Sequence, residues 1–132
     1  MLYESTRGSK NKKTGAQAVI QGIAEDKGLY VPESIPVLPF DLKEMTEKIA
    51  AGKAGYRDVA HAVIGAFFDD FTEDEMKACI EGAYDKKFTA EDIVDIKTIG
   101  GAHFLELYHG KTAAFKDMAL SILPYLMTTS CK

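Results

Sequence analysis

Apolar residues recur at helical spacing twice in the middle of the chain, and these stretches are the clearest elements it predicts. Tyr56, Val59, Ala60, Val63, Ile64, Phe67 and Phe68 share one face of a helix over 56–68. Thr72-Glu73-Asp74-Glu75 has capping-box spacing and opens a second helix over 73–85, with Met76, Cys79, Ile80, Ala83 and Tyr84 on one side. The short loop between them predicts antiparallel packing, stripe against stripe.

The flanking patterns are weaker. Residues 2–3 suggest a short strand, followed by a polar, basic loop to Lys13. Thr14 is placed to cap a helix carrying Ala16, Val19, Ile20 and Ile23 on one face, ended by Lys27-Gly28. A strand over 29–31 stops at Pro32, and Asp41 with Glu44 starts a short helix to about Ala50. After a Gly-rich break at 52–55, the last pattern change comes beyond the central helices. There, 93–99 reads as a strand or connector and 103–108 as a strand. A helix from about 114 then puts Phe115, Met118, Ala119, Ile122 and Leu126 on one face, and Pro124 is expected to kink or end it.

At 132 residues this is one domain and hardly two. The formal net charge of -4 excludes a nucleic-acid footprint. No apolar run approaches the roughly 20 residues of a membrane helix, and the N-terminus lacks a signal-peptide pattern, which places the expected location in the cytoplasm. Cys79 and Cys131 have no metal-ligand spacing and read as reduced thiols, Cys79 as a small core residue. His61 falls on the polar side of its helix with no ligand partner at useful spacing, so no metal site is expected.

The candidate chemistry lies at 105–120, Leu-Glu-Leu-Tyr-His-Gly-Lys-Thr-Ala-Ala-Phe-Lys-Asp-Met-Ala-Leu. A strand-like run stops at a Gly turn, and Lys116 falls in the first turn of the helix-like run beyond it, among small and apolar residues. A lysine there is expected to be partly desolvated, and a cation at a helix N-terminus is repelled. Both favour the neutral amine that adds to a carbonyl. Asp117 is explained as favourable charge at the same helix start, and Thr112 as its hydroxyl cap. By spacing alone Phe115 belongs to the core, while His109 and Gly110 shape the turn. Arg7 and Lys10 to Lys13 read as solvated charge.

This block resembles the cofactor-lysine segment of the threonine synthases, E-L-(aromatic)-H-G-P-T-x-A-F-K-D-x-A, with Lys111 in place of the usual proline. Two more segments agree in order and spacing. Tyr3-Glu4-Ser5-Thr6-Arg7-Gly8 resembles Y-x-S-T-R-G, and the stretch over 21–32 resembles Q-G-(apolar)-A-x-D-G-G-L-(aromatic)-V-P, with Lys27 replacing a glycine. The resemblance implies that Lys116 is the catalytic lysine that holds pyridoxal 5'-phosphate (PLP), with Phe115 beside it at the cofactor. It places His109, Gly110 and Thr112 in the turn lining the substrate site. It implies a PLP-dependent lyase that converts O-phosphohomoserine and water to threonine and phosphate.

The same comparison implies an N-terminal piece of a longer enzyme, because no Ser-Gly-x-Thr-Gly phosphate loop occurs in these residues. The expected fold class is α+β or α/β. A mainly helical domain with short strands spans 1–95, and 96–132 form the first strand-helix of a truncated PLP-binding α/β domain. The piece alone is expected to fold without binding PLP tightly. Its C-terminal segment is expected to be self-associated or packed back on the N-terminal helices. A related PLP lyase acting on phosphorylated amino acids, or a helical interaction module without catalysis, are the competing readings.

Overall fold

The computed structural model describes residues 1–132. Strand β1 (Tyr3–Ser5) pairs antiparallel with β2 (Tyr30–Pro32), Glu4 opposite Val31. Pro32 is tolerated because it ends a strand of a two-stranded sheet, where no further ladder bond is required of it. Between them, α1 (Gly15–Gln21) starts at a full capping box. The Gln17 amide donates to Thr14 Oγ1 at 3.4 Å and the Thr14 amide to Gln17 Oε1 at 3.1 Å.

The helix stops at Gly22, earlier than expected, and Ile20 and Ile23 are half exposed or more. Gly22 has φ +72, which turns the chain before Ile23 can join the buried face. Lys27 stands at φ +62, the left-handed conformation that a glycine would adopt freely. Lys27→Gly is therefore expected to stabilise the chain by about 0.5–1 kcal/mol, read as a raised thermal midpoint.

Helix α2 (Leu42–Ala50) is capped by Asp41, which accepts from the Glu44 amide at 3.0 Å. Glu44 does not return the bond; its carboxylate pairs with Lys48 at 2.7 Å one turn on. Helices α3 (Tyr56–Phe67) and α4 (Glu73–Ala83) form as the periodicity predicts, and the Thr72–Glu75 capping box is reciprocal. They pack together, and Ala60, Met76, Cys79, Ile80, Ala83 and Tyr84 lie in one buried cluster. Ile64, Tyr56 and Phe68 pack against it, while Val63 is only partly buried and stands outside it.

Beyond α4 the structure departs from expectation. Strand β3 (Asp95–Ile99) and β4 (Ala102–Glu106) form an antiparallel hairpin, with Ile96 opposite Leu105 and Thr98 opposite His103. Gly100 and Gly101 form the two-residue loop at φ +58 and +82, the doubly left-handed turn that a tight hairpin needs. The strand expected over 103–108 thus pairs with the preceding stretch, which had read as a strand or a connector.

The helix expected from 114 begins only at α5 (Asp117–Leu120), breaks at Ser121 and Ile122, and resumes as α6 (Leu123–Ser130). Pro124 sits in the first turn of α6, where its missing donor costs nothing. Helix α6 lies against α1 and α4, and Ile122 and Leu126 enter the same core as the central helices. The result is a mixed helix and short-strand fold with two antiparallel two-stranded sheets. The stretch over 96–132, expected to open an α/β domain, is observed as the two strands of this hairpin and a broken helix. No helix is long and apolar enough to cross a membrane.

Candidate active site

The chain leaves β4 at Glu106 and is pinned at once. His109 Nε2 lies 2.9 Å from Glu106 Oε2, and His109 Nδ1 lies 3.1 Å from Thr89 Oγ1. The Thr89 amide donates to the His109 carbonyl at 2.9 Å. The Tyr108 hydroxyl, and after it the His109 ring, hold the Glu106 carboxyl below its usual range. The same contact with Glu106 pushes the Tyr108 hydroxyl up. Both ring nitrogens of His109 are thus engaged by side chains of the chain itself.

Past Gly110 the chain folds back through two tight turns, the Ala113 amide donating to the Gly110 carbonyl and the Asp117 amide to that of Ala114. Their closure depends on Asp117, which is 5 % exposed. Thr112 donates its amide to Asp117 Oδ2 at 2.7 Å and its hydroxyl to Asp117 Oδ1 at 2.6 Å. These bonds, the hydroxyl's first, hold the Asp117 carboxyl below the usual carboxylate range. A β-carbon at Gly110 would lie 2.4 Å from Asp117 Cβ, so only glycine fits there. Thr112 therefore does not cap the helix; it is gripped by a carboxylate five residues on.

Lys116 is the N-cap residue of α5, with helical backbone and no side-chain cap. Its side chain is exposed, which corrects the expected desolvation. The cause is the late helix start: the apolar residues that were to surround the lysine lie on an open turn. Phe115, expected in the core, is 68 % exposed for the same reason. From the far side, the buried Tyr84 donates its hydroxyl to the Met118 carbonyl at 2.8 Å, and burial pushes that hydroxyl's pKa up. The backbone around Lys116 is thus held by Asp117 and Tyr84 while the lysine's own side chain projects from it.

The two N-terminal motifs meet at a second small constellation. Asp26 accepts from Ser5 Oγ at 2.6 Å and from the Gly28 and Ser9 amides at 3.0 Å each. The Ser5 hydroxyl first, then the Gly28 amide, keep its carboxyl below the ordinary range. A β-carbon at Gly28 would fall 2.0 Å from Ser5 Oγ, which explains the glycine. Lys12, expected to be solvated, pairs with Glu33 at 2.8 Å and Glu4 at 3.5 Å. No hydrogen bond or ion pair links this loop to the lysine turn. His61 lines a shallow polar cleft with Arg57, Asp58, Glu73 and Lys77. No cluster of His, Cys, Asp or Glu is arranged to hold a metal.

Sequence reasoning missed Tyr84, Thr89 and Glu106 as supports of the turn, and assigned Asp117 only a dipole role. Asp117 carried one usable signal: a carboxylate five residues after a threonine, across a glycine-led turn, is within reach of that threonine's amide. Glu106 lies only three residues before His109, whereas Tyr84 and Thr89 are remote in sequence and become visible only once the fold brings them to the turn.

Residues 2–84 match the family model described as the threonine synthase N terminus. The chain is 33% identical over 124 residues to a threonine synthase of Schizosaccharomyces pombe, covering 92% of this chain and 23% of the relative. It is 36% identical over 126 residues to that of Corynebacterium glutamicum, covering 93% and 26%. Among solved structures, PLP-bound threonine synthase from Brucella melitensis superposes with a TM-score of 0.85 at 29% identity, over 98% of this chain and 27% of that one. The chain thus spans about a quarter of the length of the proteins it matches.

Proposed function

This chain belongs to the threonine synthase family, and from that premise we propose that Lys116 is the lysine that holds PLP in a lyase converting O-phosphohomoserine and water to threonine and phosphate. The observation that carries this reading is the placement of Lys116. Its amine is exposed at the foot of α5, on a backbone tied down from both sides, within a segment reading H-G-K-T-A-A-F-K-D. A projecting, unpaired amine on a fixed base suits covalent attachment of a carbonyl cofactor.

When bound, PLP supplies the electron sink for carbanion chemistry at the substrate. Lys116 Nζ would hold the cofactor at its carbonyl carbon, and as a free amine it would take a proton from the substrate's α-carbon and hand one on at the neighbouring carbon. Phe115, exposed beside Lys116, offers an aromatic face to a planar ring. His109, Gly110 and Thr112 orient the turn that lines the substrate's side. The division at 95/96, a cytoplasmic location and self-association through exposed apolar residues of the hairpin, Ile96, Ile99, Phe104 and Leu105, belong to the same proposal.

The test is a chimaera in which residues 1–132 replace the matching quarter of the Corynebacterium glutamicum enzyme. It is expected to purify yellow with PLP, to form threonine from O-phosphohomoserine, and to yield a borohydride-fixed adduct on Lys116. A folded, colourless chimaera, or an adduct confined to other lysines, would overturn the reading in favour of an interaction module. Colour with activity only on other phosphorylated amino acids would instead support the related lyase.

A further inference from the structure

We propose that Asp117 is the positioning residue for Lys116: its buried carboxylate, closed on Thr112 over Gly110, locks the turn from which the lysine projects. The inference rests on the reading of Lys116 as the cofactor lysine and extends it to a neighbour with no role in the chemistry. Three observations carry it. Asp117 is one of only two buried polar or charged side chains in the chain, the other being Ser5. A buried carboxylate is retained only with full hydrogen bonding, and both of its oxygens are occupied by the one residue, Thr112, at 2.6 and 2.7 Å. The missing β-carbon at Gly110 is what lets the turn close onto Asp117 at this distance.

The geometry separates two tasks that one residue cannot perform. Lys116 must keep a mobile amine, so its side chain cannot be tied by a salt bridge or hydrogen bond. Its Cα must still be fixed, because an attacking amine displaced by about 1 Å loses on the order of a hundredfold in rate. Asp117, the next residue, fixes the backbone without touching the amine. Ala113, at φ +54, shows that the turn is held in a conformation its sequence does not favour on its own. The clamp is also charge-dependent. The folded state holds the Asp117 carboxyl below its ordinary range, so the clamp is complete at neutral pH and is lost as pH falls through that depressed value.

The experiment uses the 132-residue chain. It is treated with PLP and borohydride, and adducts at each lysine are quantified by peptide mass spectrometry, with the exposed Lys111 of the same turn as internal reference. Lys116 is expected to label faster than Lys111. Asp117→Asn and Thr112→Val are expected to reduce the ratio by roughly 3- to 10-fold, and Thr112→Ser to preserve it. The Thr112 amide proton resonance of the parent chain is expected to titrate below the usual carboxylate range and to lose that titration in Asp117→Asn.

Preference for Lys116 that is unchanged in Asp117→Asn and Thr112→Val overturns the positioning role and leaves the cofactor-lysine reading standing. No preference for Lys116 in the parent chain, with the Thr112 titration intact, overturns the positioning inference, and the chimaera decides the cofactor-lysine reading separately. Thr112→Val removes only the hydroxyl bond and keeps the amide bond to Asp117 Oδ2, so it probes the clamp more gently than Asp117→Asn. Equal loss in Thr112→Ser and Thr112→Val overturns the proposal as well, because the serine hydroxyl restores the clamp.

Discussion

Lys116→Ala in the chimaera is expected to abolish threonine formation, by at least about 10²- to 10⁴-fold, while leaving the fold untouched. The two halves of this expectation have separate grounds. Removing the amine removes both the covalent hold on the cofactor and the proton carrier at the reacting carbon, and no other side chain of the turn replaces it. His109 has both nitrogens engaged by Glu106 and Thr89, and Lys111 lies five residues away across the closed turn. Stability is insensitive because Lys116 is exposed, and a surface truncation of that kind changes stability by about 0.5 kcal/mol or less. The checks are a threonine-formation assay and a thermal melt of the same preparation. Near-normal turnover without added amine would remove Lys116 from the chemistry. A melt shifted down by many degrees would show that the lysine supports the fold.

What could be read from the sequence divides along the range of the forces involved. Helices α3 and α4 were legible because their signals are local: a periodic stripe in each, and a capping box whose partners lie three residues apart. The lysine turn was legible only as a pattern. That Lys116 stands on an open turn results from α5 starting at Asp117, and that start results from Asp117 turning its carboxylate back to Thr112. The β3–β4 hairpin had its signal in plain sight in Gly100 and Gly101, a two-residue glycine turn between apolar stretches. Tyr84 on Met118 and Thr89 on His109 join residues 34 and 20 positions apart, and no local pattern announces them. Ile93 is the sharpest case. A β-branched residue at φ +71 runs against its own backbone preference, and it is held there by burial in the core.

The largest expected loss of stability comes from Met76→Asp. Met76 is 2 % exposed and is among the largest fully buried side chains. Truncation to alanine there costs about 2–5 kcal/mol through lost burial and the cavity left behind. An aspartate adds a buried carboxylate to an apolar cluster, directly after Glu73, Asp74 and Glu75, so nearby like charge adds to the cost. A chain of this size has roughly 7–20 kcal/mol to lose, so Met76→Asp is expected to leave it largely unfolded at 37 °C. Met76→Leu, which keeps the volume, is expected to cost less than about 1.5 kcal/mol.

Val63→Asp, which the helical stripe alone would rank with it, is expected to cost distinctly less. Val63 is only partly buried and stands outside the cluster that holds Ala60, Met76 and Ile80. Because Ile122 and Leu126 share that cluster, amide exchange along α6 should rise together with exchange in α4 when the core is weakened. Protection of α6 that persists in Met76→Ala while α4 opens would show that the C-terminal helix is stabilised separately. Equal melting of Met76→Asp and Val63→Asp would show that the stripe of α3, rather than the observed cluster, is the centre of the core.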